Sequence, residues 1–146
     1  MTTYTSNKAQ AGVQPKMLPT GDLAVYAVYT FPSTSPPTLG TADTVTMMTV
    51  PGGATITGVT LDVDKLDTGG SPAIKLNVGD GTVPNRFINQ STAGQAGGYQ
   101  VPNINGAIGN LYQANTPVLV TVQTGAAGAV QAGAAIRLVV NYSMDP

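Results

Sequence analysis

Apolar and polar residues alternate with period two along most of this chain, and glycine and proline interrupt the alternation. In residues 22–31 (DLAVYAVYTF) the odd positions are Leu23, Val25, Ala27, Tyr29 and Phe31, and the even ones include Ala24, Tyr26 and Val28. Both sets are apolar. This first strand is therefore expected to be covered on both faces, one by the core and the other by a second sheet, the preceding arm or another subunit. Residues 44–50 (TVTMMTV) read as the second strand, ended by Pro51, Gly52 and Gly53. In the third, 55–64, Val59, Leu61 and Val63 share one face, while Thr60, Asp62 and Asp64 share the other. Ile56 falls on the wrong parity, and a bulge near Gly58 would restore it.

The pattern continues more weakly. Residues 73–79 form a fourth strand with Ile74, Leu76 and Val78 inward and Lys75 and Asn77 outward, and a short fifth strand is expected at 86–88. Residues 89–116 are rich in Gly, Asn, Gln and Ala. A structureless segment of that length is unusual in a compact domain, so a helical turn or edge strand is expected near 91–95 or 98–101. Two strong strands close the chain. Residues 117–124 turn Val118, Val120 and Val122 one way, and residues 134–142 turn Ile136, Leu138, Val140 and Tyr142 one way, with Arg137 and Asn141 opposite. Short β-branched runs between turn residues predict an all-β fold, an antiparallel β-sandwich of jelly-roll-like type. Residues 1–20 show no period and carry Pro15 and Pro19. They are expected to form an extended N-terminal arm ahead of a single domain spanning 21–146.

Charge changes the picture. The 146 residues hold six Lys and Arg and seven Asp, with no Glu, His, Cys or Trp, and only 9% of positions are charged. An ordinary domain carries about 25%. Such a neutral surface suits a molecule covered by partners in an assembly. No basic stripe is present to neutralise phosphates, so nucleic acid is not an expected partner. No apolar run reaches the length of a membrane helix, and residues 1–12 lack the apolar stretch of a secretory signal, so folding in the cytoplasm of its origin is expected.

Candidate chemistry is thin. Without His, Glu or Cys there is no ordinary general acid or base for neutral pH and no Ser-His-Asp or Cys-His arrangement, so the chain is not expected to be an enzyme or to hold a cofactor. The one cluster of carboxylates is Asp62, Asp64 and Asp67, which could offer oxygen ligands to calcium. The preferred reading is plainer: two Asp on the solvent side of a strand and a third that starts a turn. Gly79-Asp80-Gly81 reads as a tight turn and Arg86 as a surface residue beside a buried Phe87. The six tyrosines, 4, 26, 29, 99, 112 and 142, read as core-edge and interface residues rather than a sugar-binding face.

The order of these segments carries a resemblance. Residues 42–50 (ADTVTMMTV), 50–69 (VPGGATITGVTLDVDKLDTG), 77–82 (NVGDGT) with NRFINQST soon after, and 132–142 (AGAAIRLVVNY) resemble small structural proteins of tailed-phage virions, of the head decoration or cement type. The resemblance spans roughly residues 20–142. It implies a β-sandwich subunit, commonly a homotrimer, that clamps the seams between copies of the major capsid protein on the capsid exterior, often with help from an extended arm. The interface candidates are then Tyr4, Lys8, Val13, Lys16 and Met17 in the arm, with Tyr26 and Val28 on the outward face of the first strand. The alternatives are a head-fibre, tail or host-attachment module that binds cell-surface glycan, or a tail or neck component.

Overall fold

Two β-sheets packed face to face carry almost all the regular structure. The structure is a computed structural model and describes residues 1–14 and 22–144. The described elements are β1 (Thr3–Thr5), α1 (Asn7–Gln10), β2 (Asp22–Thr30), β3 (Thr44–Val50), β4 (Ala54–Val63), β5 (Lys75–Asp80), β6 (Ile88–Ser91), α2 (Ala93–Ala96), β7 (Gly98–Gln100), β8 (Thr116–Thr124) and β9 (Ala135–Met144). One sheet has the order β1-β3-β8-β5-β6 and the other β2-β9-β4-β7. The pairs β2–β9, β3–β8, β4–β7 and β5–β6 are nested, first with last, and all are antiparallel. The nesting is that of a long hairpin rolled up until β9 also meets β4 and β8 also meets β5. The result is a β-sandwich with a jelly-roll-like strand order.

The core follows from parity. Val25 and Ala27 of β2, Val59, Leu61 and Val63 of β4, and Ile136, Leu138, Val140 and Tyr142 of β9 are buried from one side. Val45, Leu76, Val78, Val118, Val120 and Val122 are buried from the other sheet. The register of β4 against β9 slips between Ile56 and Gly58, and the slip brings Ile56 into the core beside Tyr142. A second slip in β3, between Thr46 and Met48, lets Met47 and Met48 both become buried.

Two local expectations are corrected. The strand expected at 86–88 runs from Ile88 to Ser91 instead, because residues 83–86 are used to close a turn around Asp80. Asn77 does not face solvent. It is buried, donates from Nδ2 to Gln123 Oε1 at 2.9 Å and accepts from the Gln90 N–H at 2.8 Å, so both halves of its amide are satisfied inside the five-stranded sheet. Within the subunit, Ala24 and Tyr26 on the outward face of β2 are exposed and Val28 is half-buried. The segment 89–116 contains α2 and β7 and then a bridge from Leu111 to Thr55.

Candidate functional site

Residues 1–14 lie against the body rather than standing off it. Thr3–Thr5 adds a parallel strand to β3, and Val13 bridges to Thr49 of the same strand. Between them Ser6 is buried. Its hydroxyl donates to the Met47 carbonyl and accepts the Ala9 N–H, which caps α1. Tyr4 is half-buried, with its ring centroid 5.4 Å from that of Tyr29 and 5.5 Å from that of Phe31. These three rings pin the segment over one open side of the sandwich. Replacing Tyr4 by alanine is expected to lower stability by about 2 kcal/mol, from two ring contacts and the area they bury. It should also make Lys8 sensitive to trypsin; urea unfolding and timed digestion check both effects.

The interface candidates separate into groups. Lys8 and Tyr26 come together along a shallow groove of about 350 Å³, with Asn7, Gln14 and Leu23 among its other lining residues. Asn7 Oδ1 accepts the Val28 N–H at 3.0 Å, which ties α1 to the free edge of β2. Val13 is half exposed beyond this groove, and Tyr4 points into the aromatic cluster instead. Lys16 and Met17 lie outside the described residues.

The three aspartates considered for calcium do not form one group. Asp62 and Asp64 lie on the outward face of the four-stranded sheet, where Arg137 of β9 reaches both, at 3.2 Å and 2.9 Å. The Arg137 guanidinium holds the Asp64 carboxyl below its usual range. Among the described residues, no group of three acidic, His or Cys side chains is placed to hold a metal ion. The Arg137–Asp62 and Arg137–Asp64 pairs are solvent-accessible, so Arg137→Ala should cost less than about 1 kcal/mol. In that variant the Asp64 carboxyl should titrate at higher pH than in the parent, as followed by NMR.

Asp67 is wholly buried and has a different role. Its Oδ1 accepts the N–H groups of Gly69 and Gly128, and its Oδ2 those of Ala73, Ile74 and Ala127. The carboxylate thereby nails the loop after β4 to the loop after β8. Glycine is needed at position 128 because a Cβ there would lie 2.5 Å from Gly69 N. Burial pushes the Asp67 carboxyl up, but the backbone donors outweigh it and hold it well below the carboxylate range.

A second buried lock was missed in the sequence. Asp80 is 1% exposed and forms an ion pair with Arg86 Nε. It also accepts the Thr82 and Val83 N–H groups at 2.9 and 2.7 Å and the Tyr112 hydroxyl at 2.7 Å. Arg86 is thus an internal partner, not a free surface residue. Burial and the Asp80 charge together push the Tyr112 phenol up. The turn can close only with glycine at 79, where a Cβ would meet Val83 O at 2.1 Å.

No protein-family model matches the chain, and no curated protein does. Solved structures do. A chain in the capsid of Ralstonia phage GP4 is similar over 99% of both chains, with a TM-score of 0.81 and 28% identity. A chain in the capsid asymmetric unit of cyanophage Pam1 is 30% identical, with a TM-score of 0.69, over 95% of this chain and 97% of that one. This chain is a phage virion structural protein. A third likeness, to a chain in the acid-stable capsid of Helicobacter pylori bacteriophage KHP30, has a TM-score of 0.60 over 87% of this chain at 15% identity and speaks to the fold alone.

For a virion structural protein the two buried carboxylate locks make sense as joints. Asp67 ties together two loops distant in sequence, and Asp80 ties its own turn to the Tyr112 side chain, both without a disulfide, in a chain that has no cysteine. The matched GP4 and Pam1 chains are almost completely covered, so the likeness is to whole small subunits and not to one domain of a larger chain.

Proposed function

We propose that this protein is a decoration, or cement, subunit that binds the outside of a phage head and stabilises the mature shell. The observation that carries the reading is the end-to-end likeness to small subunits found in two phage capsids. Three features support the decoration role. The sandwich completes its own core, so the subunit can fold before it meets a shell. Its charged fraction is low. The segment sequence quoted above resembles cement proteins, whose partner is the major capsid protein.

The mechanism is passive. A subunit that binds only the expanded lattice stabilises that state by mass action, because its differential affinity is added at every copy. A homotrimer would hold three modest contacts together, and the second and third would form at high effective concentration. Residues Tyr4, Lys8, Val13, Lys16, Met17, Tyr26 and Val28 belong to the proposed contact region. Catalysis is not part of the proposal. The buried carboxylates Asp67 and Asp80 are held low and the Tyr112 and Tyr142 phenols are raised, so these groups are moved away from neutrality.

Purified protein added to heads that lack it should raise the temperature at which they release DNA, in proportion to occupancy. An unchanged release temperature at full occupancy would remove the stabilising role. Sedimentation of the free protein checks the trimer.

A further inference from the structure

Asn105 is the one asparagine in the chain that is followed by glycine, and the fold sets the pair at the tip of an exposed turn between β7 and β8. Across that turn the Ala107 N–H donates to the Ile104 carbonyl at 3.2 Å. Gly106 holds a φ of +80°, the left-handed conformation that glycine supplies in such turns. The tip is fastened on both sides. The Asn103 N–H donates to the Phe87 carbonyl at 3.2 Å, and the Gly109 N–H to the Ile56 carbonyl at 2.8 Å. Between these points neither the Asn105 amide nor the Gly106 N–H has a hydrogen-bond partner among the described residues. A Cβ built on Gly106 would meet nothing within 4 Å, so no neighbour crowds the backbone there.

We propose that Asn105 is a self-modifying site, where the side-chain amide becomes a carboxylate without an enzyme. The Gly106 nitrogen gives its proton to hydroxide and attacks Asn105 Cγ. A five-membered succinimide closes, the Cγ–Nδ2 bond breaks, and ammonia leaves with a proton from water. Water then adds to one of the two ring carbonyls and reopens the ring, giving aspartate or its β-linked isomer, isoaspartate. The net change is one water gained and one ammonia lost. The formal charge of the chain moves from −1 to −1 − 1 = −2. Isoaspartate also lengthens the main chain by one carbon atom and so opens the turn from Ile104 to Ala107. Other positions are protected from the same chemistry. Asn103 is held through Oδ1 and Nδ2 by the Asn89 backbone at 2.7 and 2.9 Å, and Asn115 Oδ1 accepts the Gly52 N–H at 3.0 Å. Each precedes a β-branched residue, Ile104 or Thr116, whose side chain shields the next backbone nitrogen. Asp80 does precede a glycine, but its carboxylate is buried and paired with Arg86, and an ionised carboxylate is a poor electrophile. The proposal does not depend on the decoration role.

The test holds the purified full chain at mildly alkaline pH in heavy-oxygen water and follows it by peptide mapping. One acidic product should accumulate, at position 105, as a mixture of aspartate and isoaspartate carrying the heavy oxygen. Asn105→Gln should abolish it while leaving the circular dichroism unchanged, since closure of a six-membered ring is far slower. Gly106→Ala, which adds a methyl beside the attacking nitrogen, should slow it at least tenfold. If the folded chain stays unconverted over the time in which the same chain in urea converts, the turn protects the pair and the proposal is overturned. A product that forms first at another asparagine, or one without the heavy oxygen, overturns it as well.

Discussion

Asp67→Ala is expected to be the most damaging single substitution in the chain, lowering the unfolding free energy by at least about 4 kcal/mol. Five backbone N–H groups from two loops converge on this one buried carboxylate, and alanine would remove their common acceptor. Hydrogen bonds to a charged acceptor contribute about 1.5–3 kcal/mol each, and some are recovered when loops relax and admit water. For a domain of this size the loss corresponds to a fall in Tm of roughly 10 °C or more. Asp67→Asn keeps the shape but turns an amide NH₂ toward donors, so it should fall between the parent and alanine. Scanning calorimetry of the three proteins checks the order.

The same site sets a pH dependence. Asp64, Asp67 and Asp80 all have folded-state values below the ordinary range. Their contribution is complete above the unfolded value, about 4, and is lost as pH falls through the depressed folded values. The stability gap between the parent and Asp67→Asn should therefore be constant from pH 8 to 5 and shrink below pH 4. A gap that widens in acid would show that Asp67 is not held as a carboxylate.

Arg86→Ala is expected to be the second largest, at about 3 kcal/mol, since it leaves the buried Asp80 charge without its cation. The Thr82 and Val83 N–H groups and the Tyr112 hydroxyl remain, so the loss stops short of unfolding the turn. Tyr112→Phe should cost only about 1–2 kcal/mol, one hydrogen bond to a charged acceptor with packing preserved. Asp80→Asn made in the Arg86→Ala background should cost less than it does alone, because the charge it removes is by then unpaired. Urea unfolding of this cycle gives a coupling of at least about 1 kcal/mol if the pair acts as a unit.

What could be read from the sequence was what parity records. The strands around TVTMMTV and LVTVQ, the inward sets of β4 and β9 and the bulge at Gly58 follow from local alternation, and the two-sheet fold follows from them. The face of β2 that includes Tyr26 and Val28 was legible as apolar and in need of a cover. Contacts between distant segments were not legible. Arg137 could be matched to Asp62 and Asp64 only once β4 and β9 were in register. Asp67 looked like a turn residue because four of its five donors come from the Ala73–Ile74 and Ala127–Gly128 stretches, six to 61 positions away. Arg86 looked exposed because nothing local shows that the GDG turn buries Asp80. Tyr99 was legible as a core-edge or interface residue, but Leu111 was passed over because its segment has no regular period, and the fold brings both to the same edge of β4.

Cryo-electron microscopy of the intact virion tests the central claim most directly. The account predicts the sandwich as separate density on the outer surface of the head, over seams between capsid subunits. Density at the tail or neck, or a sandwich forming part of the continuous shell wall, would contradict it.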